Sequence, residues 1–103
     1  MSKQEFHPGF KIGQYTGDDQ TTQAITGVGF KPKYVKAWSH DTGDADAWVF
    51  ERSEDMATDR SVTHYQGYTI NRAGRLKSLD NDGFTVGDQA NTDGTVYDYI
   101  AIG

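Results

Sequence analysis

Short runs of β-branched and aromatic residues, each ended by glycine or aspartate, recur along this chain at spacings of roughly ten residues. Leucine, a strong helix former, occurs only as Leu76 and Leu79, against six valines, five isoleucines and thirteen aromatic residues. Strands favour that mixture over helices. Eleven threonines and twelve glycines agree, because threonine suits a pleated surface and glycine suits tight turns. The pattern predicts an all-β fold.

Alternation is clearest over residues 33–39, where Val35 and Ala37 are predicted to share one face and the larger side chains the other. Residues 52–60 have no clear pattern, so a short helix and an irregular loop both stay open. The predicted strands are 10–15, 24–26, 33–39, 47–51, 62–70, 76–79, 84–86 and 96–102. Seven or eight short antiparallel strands are typical of a single β-sandwich or jelly-roll-like domain, here residues 10–103 behind an N-terminal arm, residues 1–9.

Glycines mark the predicted structural turns, which are Gly27, Gly29, Gly83 and Gly87. Two glycines around Val28 predict a bulge or a sharp corner at the rim of a sheet. The run Asp-Asn-Asp-Gly at 80–83 predicts a tight turn between strands, and residues 40–46 predict a hairpin loop. At Gly29 and Gly83 we expect a positive φ, which residues with a Cβ avoid.

The charge balance makes nucleic acid an unexpected partner. The chain has 15 acidic against 10 basic residues, and its one short basic cluster, Lys31, Lys33 and Lys36, is typical of a protected strand edge. Cysteine is absent, which excludes disulfides and thiol chemistry. No apolar run approaches the roughly 18 residues of a membrane span, and we expect no membrane partner.

The sequence contains no recognisable catalytic motif. The histidines His7, His40 and His64 lack any metal-ligand spacing, and neither Ser39 nor Ser78 lies in a pattern that would activate a hydroxyl. We therefore expect no catalytic residue and no cofactor.

Acidic residues raise the possibility of a cation site. Asp80 and Asp82 have the close spacing of calcium ligands, although Gly83 comes too early for the EF-hand pattern. Asp41, Asp44 and Asp46 form a second group. Turn chemistry and solvated loop acids explain both groups more simply, so no metal is expected. A pair of glycosidase carboxylates would have to be judged from distances.

Aromatic residues give the one hint of a ligand. They are Trp38, Trp48, Tyr65, Tyr68, Tyr97 and Tyr99. Exposed rings would stack on sugars, whereas buried rings would belong to the core or to a subunit interface, which we favour. The candidate binding residues, for a glycan or a neighbouring subunit, are Trp38, Trp48, Tyr97 and Tyr99.

Four segments together carry a family resemblance. They are Tyr-Thr-Gly-Asp at 15–18, Ile-Thr-Gly-Val-Gly-Phe-Lys-Pro-Lys-Tyr-Val at 25–35, Ser-Leu-Asp-Asn-Asp-Gly-Phe-Thr-Val-Gly at 78–87 and Tyr-Asp-Tyr-Ile-Ala at 97–101. The chain resembles a small β-sandwich domain that recurs in virion proteins of tailed phages and archaeal viruses, often in tail-fibre-like or surface structural proteins. The resemblance spans about residues 10–103 and is weakest over 52–74. These motifs carry turn and core chemistry.

The resemblance implies a non-enzymatic structural protein of a virion, assembled in the host cytoplasm. Tail fibres of this kind usually carry further regions for attachment and trimerisation, which this sequence does not show. We therefore expect a surface decoration or accessory subunit of a capsid or tail, forming homo-oligomers and contacting other virion subunits. The C-terminal strand 96–102 is expected to be exposed and to take part in assembly. The alternative is a carbohydrate-binding or host-receptor-binding module of a tail fibre.

Overall fold

The computed structural model describes residues 9–39, 48–65 and 68–103. Most of the predicted N-terminal arm (residues 1–8) and the predicted hairpin loop over 40–46 lie outside these residues. The described residues form nine strands: β1 (Phe10–Thr16), β2 (Thr22–Ile25), β3 (Tyr34–Ser39), β4 (Trp48–Ser53), β5 (Ser61–Tyr65), β6 (Tyr68–Arg72), β7 (Leu76–Asp80), β8 (Gly83–Gly87) and β9 (Val96–Ile102). One turn of 3-10 helix, Asp88–Ala90, follows β8. The predicted all-β fold is confirmed.

One strand more than predicted is present, because the run 62–70 forms two strands. Strands β5 and β6 pair with each other in antiparallel register, with Tyr65 opposite Tyr68. The two residues between them include Gly67, a turn former in the sequence. Residues 54–60 form an irregular loop, which is one of the two alternatives that the sequence leaves open for this segment.

Two antiparallel sheets make up the sandwich. The larger sheet has the strand order β1-β9-β3-β4-β5-β6, and the smaller has the order β2-β8-β7. The expectation that the C-terminal strand is exposed is wrong, because β9 lies inside the larger sheet. It pairs along its length with β1 on one side and with β3 on the other. The edges of this sheet are β1 and β6 instead.

The core lies between the inner faces of the two sheets. Val35 and Ala37 of β3 are fully buried, as their alternation predicted. From the smaller sheet, Leu76, Phe84 and Val86 are fully buried as well. Each large aliphatic or aromatic side chain removed from water in this way contributes about 1.5–3 kcal/mol to folding. Burial of alternate residues therefore fixes which face of each strand points inward.

A sharp corner follows β2, as predicted. Gly27 has a φ of 80° and Gly29 a φ of 97°. The carboxylate of Asp82 accepts hydrogen bonds from the amide of Gly27 at 2.9 Å and from the amide of Gly29 at 2.7 Å. The carbonyl oxygen of Asp82 accepts a third bond, from Val28 N at 3.1 Å. Three successive amides thus surround one residue of the β7–β8 turn, which ties the corner to the smaller sheet.

Gly83 does not have the positive φ that we predicted. A Cβ at Gly83 would lie 1.8 Å from the carbonyl oxygen of Ile25, in the neighbouring strand. The glycine is therefore required by the close approach of β2 and not by the geometry of the turn. Gly87 ends β8 and is constrained in the same way, because a Cβ there would lie 2.5 Å from the carbonyl oxygen of Gly74.

Candidate functional site

The four aromatic residues predicted as a binding set do not share one surface. Trp38 lies half-buried on the outer face of the larger sheet, opposite Asp98 of β9. Tyr99 belongs to the core, where its ring meets Phe84 edge-on at 5.0 Å. Trp48 and Tyr97 alone come together, at a cleft in one end of the sandwich. Tyr97 and Tyr99 point inward on the same face of β9, whereas Trp38 points outward from β3, and a binding role for these residues stays a prediction.

The cleft has a volume of about 380 Å³ and lies where β3 and β8 end and β4, β7 and β9 begin. Its apolar side is formed by Trp48, Phe50 and Tyr97. The rings of Trp48 and Phe50 are nearly parallel, with centroids 6.4 Å apart, and Tyr97 stacks on Tyr15 at 4.8 Å. A cleft of this size falls at the low end of the range for small-molecule sites, roughly 300–1,000 Å³.

The rest of the cleft lining is polar. They are Ser39, Arg75, Asp88, Gln89, Thr92 and Thr95. The group includes hydroxyls, an amide and a carboxylate, so it can both donate and accept hydrogen bonds. The amide of Thr92 donates to the hydroxyl of Tyr97 at 3.1 Å, which joins the polar side to the aromatic one.

Arg75 is the unusual member of the cleft lining. Its side chain is only 7% exposed, and its guanidinium carbon lies 5.2 Å from the centroid of the Trp48 ring. Nη1 donates to the carbonyl oxygen of Ala73 at 2.7 Å, whereas the buried Nε has no hydrogen-bond partner among the residues that the structure describes. Burial and the like charge of Arg72 lower the pKa of Arg75, and the charge of Asp88 opposes that shift. The cation is thus desolvated and incompletely satisfied.

Arg75 and the other polar lining residues were missed by sequence reasoning. They come from β3, the turn before β7, the turn after β8 and the segment before β9, which are far apart in the chain. No local pattern joins them, because the two sheets bring them together. The one available signal was the glycine at position 74, a turn former directly before Arg75, and in the structure Gly74 has a φ of 83°.

A second feature is an apolar strip on the outer face of the larger sheet, which we call the β1–β9 strip. It consists of Phe10 and Ile12 of β1 and of Ile100 and Ile102 of β9. Phe10 is 62% exposed, Ile12 66% and Ile102 37%. The register places Phe10 beside Ile102 and Ile12 beside Ile100, so the four side chains are adjacent.

The edge strand β1 also presents unpaired backbone groups. Gly103 N donates to Gly9 O at 2.9 Å, and Gly17 N donates to Thr95 O at 2.8 Å. Bonded and non-bonded pairs alternate along antiparallel strands, so every second residue from 9 to 17 bonds to β9. The N–H and C=O groups of the residues between them therefore point away from the sheet. Among the described residues, no strand pairs with that side of β1.

A hydrogen-bonded chain crosses the outer face of β3 to β6. Glu51 accepts from the hydroxyl of Tyr34, and its other oxygen lies 2.5 Å from His64 Nε2. His64 Nδ1 lies 3.3 Å from the hydroxyl of Thr69. The hydrogen bond from Tyr34, followed by His64 and Lys36, lowers the pKa of Glu51 against the effect of desolvation. Cross-strand pairs on an open sheet face explain this arrangement.

The described residues contain no group of three or more metal-ligating side chains placed to hold an ion. The carboxylate of Asp80, one of the possible calcium ligands, accepts hydrogen bonds from Ser78 at 2.8 Å and Thr85 at 2.7 Å. Asp82 holds the Gly27–Gly29 corner. Asp80 thus has structural partners on the smaller sheet, and Asp82 has them in the corner that follows β2.

Comparison of the chain with protein-family models, with curated proteins and with solved structures finds no match. The resemblance to virion domains therefore stays a prediction. Within the residues that the structure describes, no helix has the length and apolar character needed to cross a membrane.

Proposed function

We propose that this chain is a non-enzymatic structural subunit of a virus particle, a surface decoration or accessory protein that assembles with copies of itself through β1 and the β1–β9 strip. The virion is suggested by the resemblance of the motifs at 25–35 and 78–87. The mode of assembly is suggested by one observation, the exposed apolar strip beside an unpaired strand edge.

The composition of β9 supports a partner on the outer face. Its inward residues are Tyr97, Tyr99 and Ala101, and its outward residues include Ile100 and Ile102. A strand with one solvated face normally alternates apolar and polar residues, whereas a strand covered on both faces is apolar throughout. β9 resembles the second kind except at Asp98, which accepts a hydrogen bond from Gln14.

The edge β1 supports a second copy as that partner. A seven-residue edge strand in unbroken register, with apolar side chains beside free backbone groups, is a template for pairing. Antiparallel pairing of two β1 strands about a twofold axis at Gly13 would use all seven residues of each. It would place the two β1–β9 strips on one continuous sheet. Phe10 and Ile12 would then border the seam from both sides.

Sedimentation velocity over a range of protein concentrations tests this proposal. We expect the wild-type protein to form dimers or larger assemblies, and Ile12→Lys to weaken association about 100-fold or more, because the change removes an apolar contact from both copies. Asn71→Lys is the matched control. Asn71 lies exposed in the same cross-strand row, on the opposite edge strand β6, so it should associate like the wild type.

Far-UV circular dichroism should show that both variants keep the fold, because both side chains are exposed. A wild-type protein that stays monomeric at all concentrations would contradict the assembly surface, and so would equal weakening by the two variants. Antibody labelling of purified virus particles, viewed by electron microscopy, tests the location.

A further inference from the structure

The cleft at the end of the sandwich combines three features of a saccharide site. Trp48 is half-buried and provides an aromatic surface against which the C–H groups of a pyranose ring can pack, and the buried rings of Phe50 and Tyr97 complete the apolar lining. The hydroxyls of Thr92 and Thr95 and the amide of Gln89 can bond to sugar hydroxyls. The volume of about 380 Å³ suits one or two sugar units.

The buried positive charge of Arg75 indicates a ligand that carries a negative charge. In the described part of the chain it forms no ion pair within 4 Å, and its hydrogen bond to the carbonyl oxygen of Ala73 leaves the buried Nε without an acceptor. A guanidinium that is 7% exposed, with no carboxylate within 4 Å among the described residues, is costly to bury. A ligand carboxylate in the cleft would supply a counter-charge for the Arg75 guanidinium and would form a charge-assisted hydrogen bond with it.

We propose that this cleft binds an acidic saccharide, a pyranose that bears a carboxylate, with the carboxylate on Arg75 and the sugar ring against the side chain of Trp48. Asp88 stands on the exposed side of the cleft, where it accepts from sugar hydroxyls and repels a second negative charge. The ligand is therefore a sugar with one carboxylate and not a polyanion. This site is separate from the assembly surface and does not depend on it.

The two tryptophans provide an internal control for the test. Trp48 lies in the cleft, and Trp38 lies on the outer face of the larger sheet. In ¹H–¹⁵N spectra of the full chain titrated with D-glucuronate, the indole signal of Trp48 should move in a saturable way. The signal of Trp38, assigned with Trp38→Phe, should stay in place. D-glucose should bind about tenfold more weakly, because it lacks the charge-assisted bond.

Two variants test the role of charge. Arg75→Gln should reduce the affinity for D-glucuronate to that for D-glucose. Asp88→Asn changes an exposed residue, so it should fold even if Arg75→Gln does not, and it should strengthen binding of D-glucuronate severalfold because a repulsive charge is lost.

The probes separate the alternatives. Equal affinity for D-glucose and D-glucuronate would contradict the proposal that Arg75 binds a carboxylate. Equal affinity for acetate and D-glucuronate would contradict the proposal that the ligand is a sugar. Absence of a saturable Trp48 shift with D-glucuronate would overturn the site as a whole. None of these outcomes changes the oligomeric state, so failure of this site and failure of the proposed assembly are distinguishable.

Discussion

At the scale of single residues, two glycines of this protein are required for different reasons. Gly29 needs a positive φ, and a Cβ there would meet no atom within 4 Å. Gly83 has an ordinary φ, but a Cβ there would lie 1.8 Å from Ile25 O. The first requirement is conformational and the second is steric. Substitution by alanine should separate the two costs.

We expect Gly29→Ala to lower the free energy of unfolding by about 1 kcal/mol, the usual cost of a left-handed conformation for a residue with a Cβ. Gly83→Ala should lower it by about 2 kcal/mol or more, because β2 and β8 must move apart. Urea unfolding of both variants and the wild type measures the difference. Equal losses would contradict the steric role of Gly83.

Whether a feature could be predicted from the sequence depends on how far apart its interacting residues are along the chain. The alternation that buries Val35 and Ala37 is local, so it was visible in the sequence. The bonds from Gly27 and Gly29 to Asp82 join residues more than fifty positions apart, and no pattern in either segment indicates them. The same limit applies to the cleft, because the pairing of β3 with both β4 and β9 brings Trp48 and Tyr97 to the same end of one sheet face.

At the scale of elements, the irregular loop after β4 is held by hydrogen bonds from one buried arginine side chain. Arg52 is 6% exposed, and its Nη1 donates to the carbonyl oxygens of Ala57 at 2.8 Å and Arg60 at 2.6 Å. Its Nη2 donates to Met56 O at 3.3 Å. One side chain thus satisfies three carbonyl groups of a segment that forms neither helix nor strand. Arginine is suited to this role because its planar group carries several donors.

Arg52→Met should therefore loosen this loop and destabilise the protein. The variant keeps most of the side-chain volume but leaves three carbonyl groups without their donor. We therefore expect the free energy of unfolding to fall by about 2 kcal/mol or more. Amide hydrogen exchange should become faster over residues 56–60 and change little in β9. Lys31→Met, which removes an exposed charge, is the control. It should leave the free energy of unfolding and the exchange rates over residues 56–60 unchanged. Unaltered exchange over 56–60 in Arg52→Met would show that Arg52 does not hold the loop.

At the scale of the whole molecule, the two proposed surfaces occupy different parts of the sandwich. The β1–β9 strip lies on the outer face of the larger sheet, whereas the cleft opens at the end where β3 ends and β4 begins. An assembled particle could therefore bury the strip and leave the cleft facing outward. That arrangement would combine the structural role with the glycan-binding alternative, because a subunit present in many copies presents many weak sites together.

Acidic residues also connect separate parts of the fold, which predicts how its stability depends on pH. Hydrogen bonds from the amides of Gly29 and Gly27 lower the pKa of Asp82 below its ordinary value of 3.8. The pKa of Glu51 is lowered mainly by its bond from Tyr34, and that of Asp59 mainly by its bond from the amide of Gly74. A group whose pKa is lower in the folded state stabilises the fold above its unfolded-state pKa. Its contribution is lost as the pH falls through the folded-state value.

The wild-type protein should therefore lose stability as the pH is lowered from about 5 to about 3. Asp82→Asn should have a lower urea midpoint than the wild type at pH 7, because one acceptor and the charge at the Gly27–Gly29 corner are removed. The two midpoints should converge as the pH falls below 3.8 toward the lowered pKa of Asp82, because protonation of its carboxylate removes the charge that the wild type has at the corner. Asp93→Asn, in the exposed loop before β9, should follow the wild type throughout. A gap between Asp82→Asn and the wild type that is as wide at pH 3 as at pH 7 would mean that the charge of Asp82 does not hold the corner.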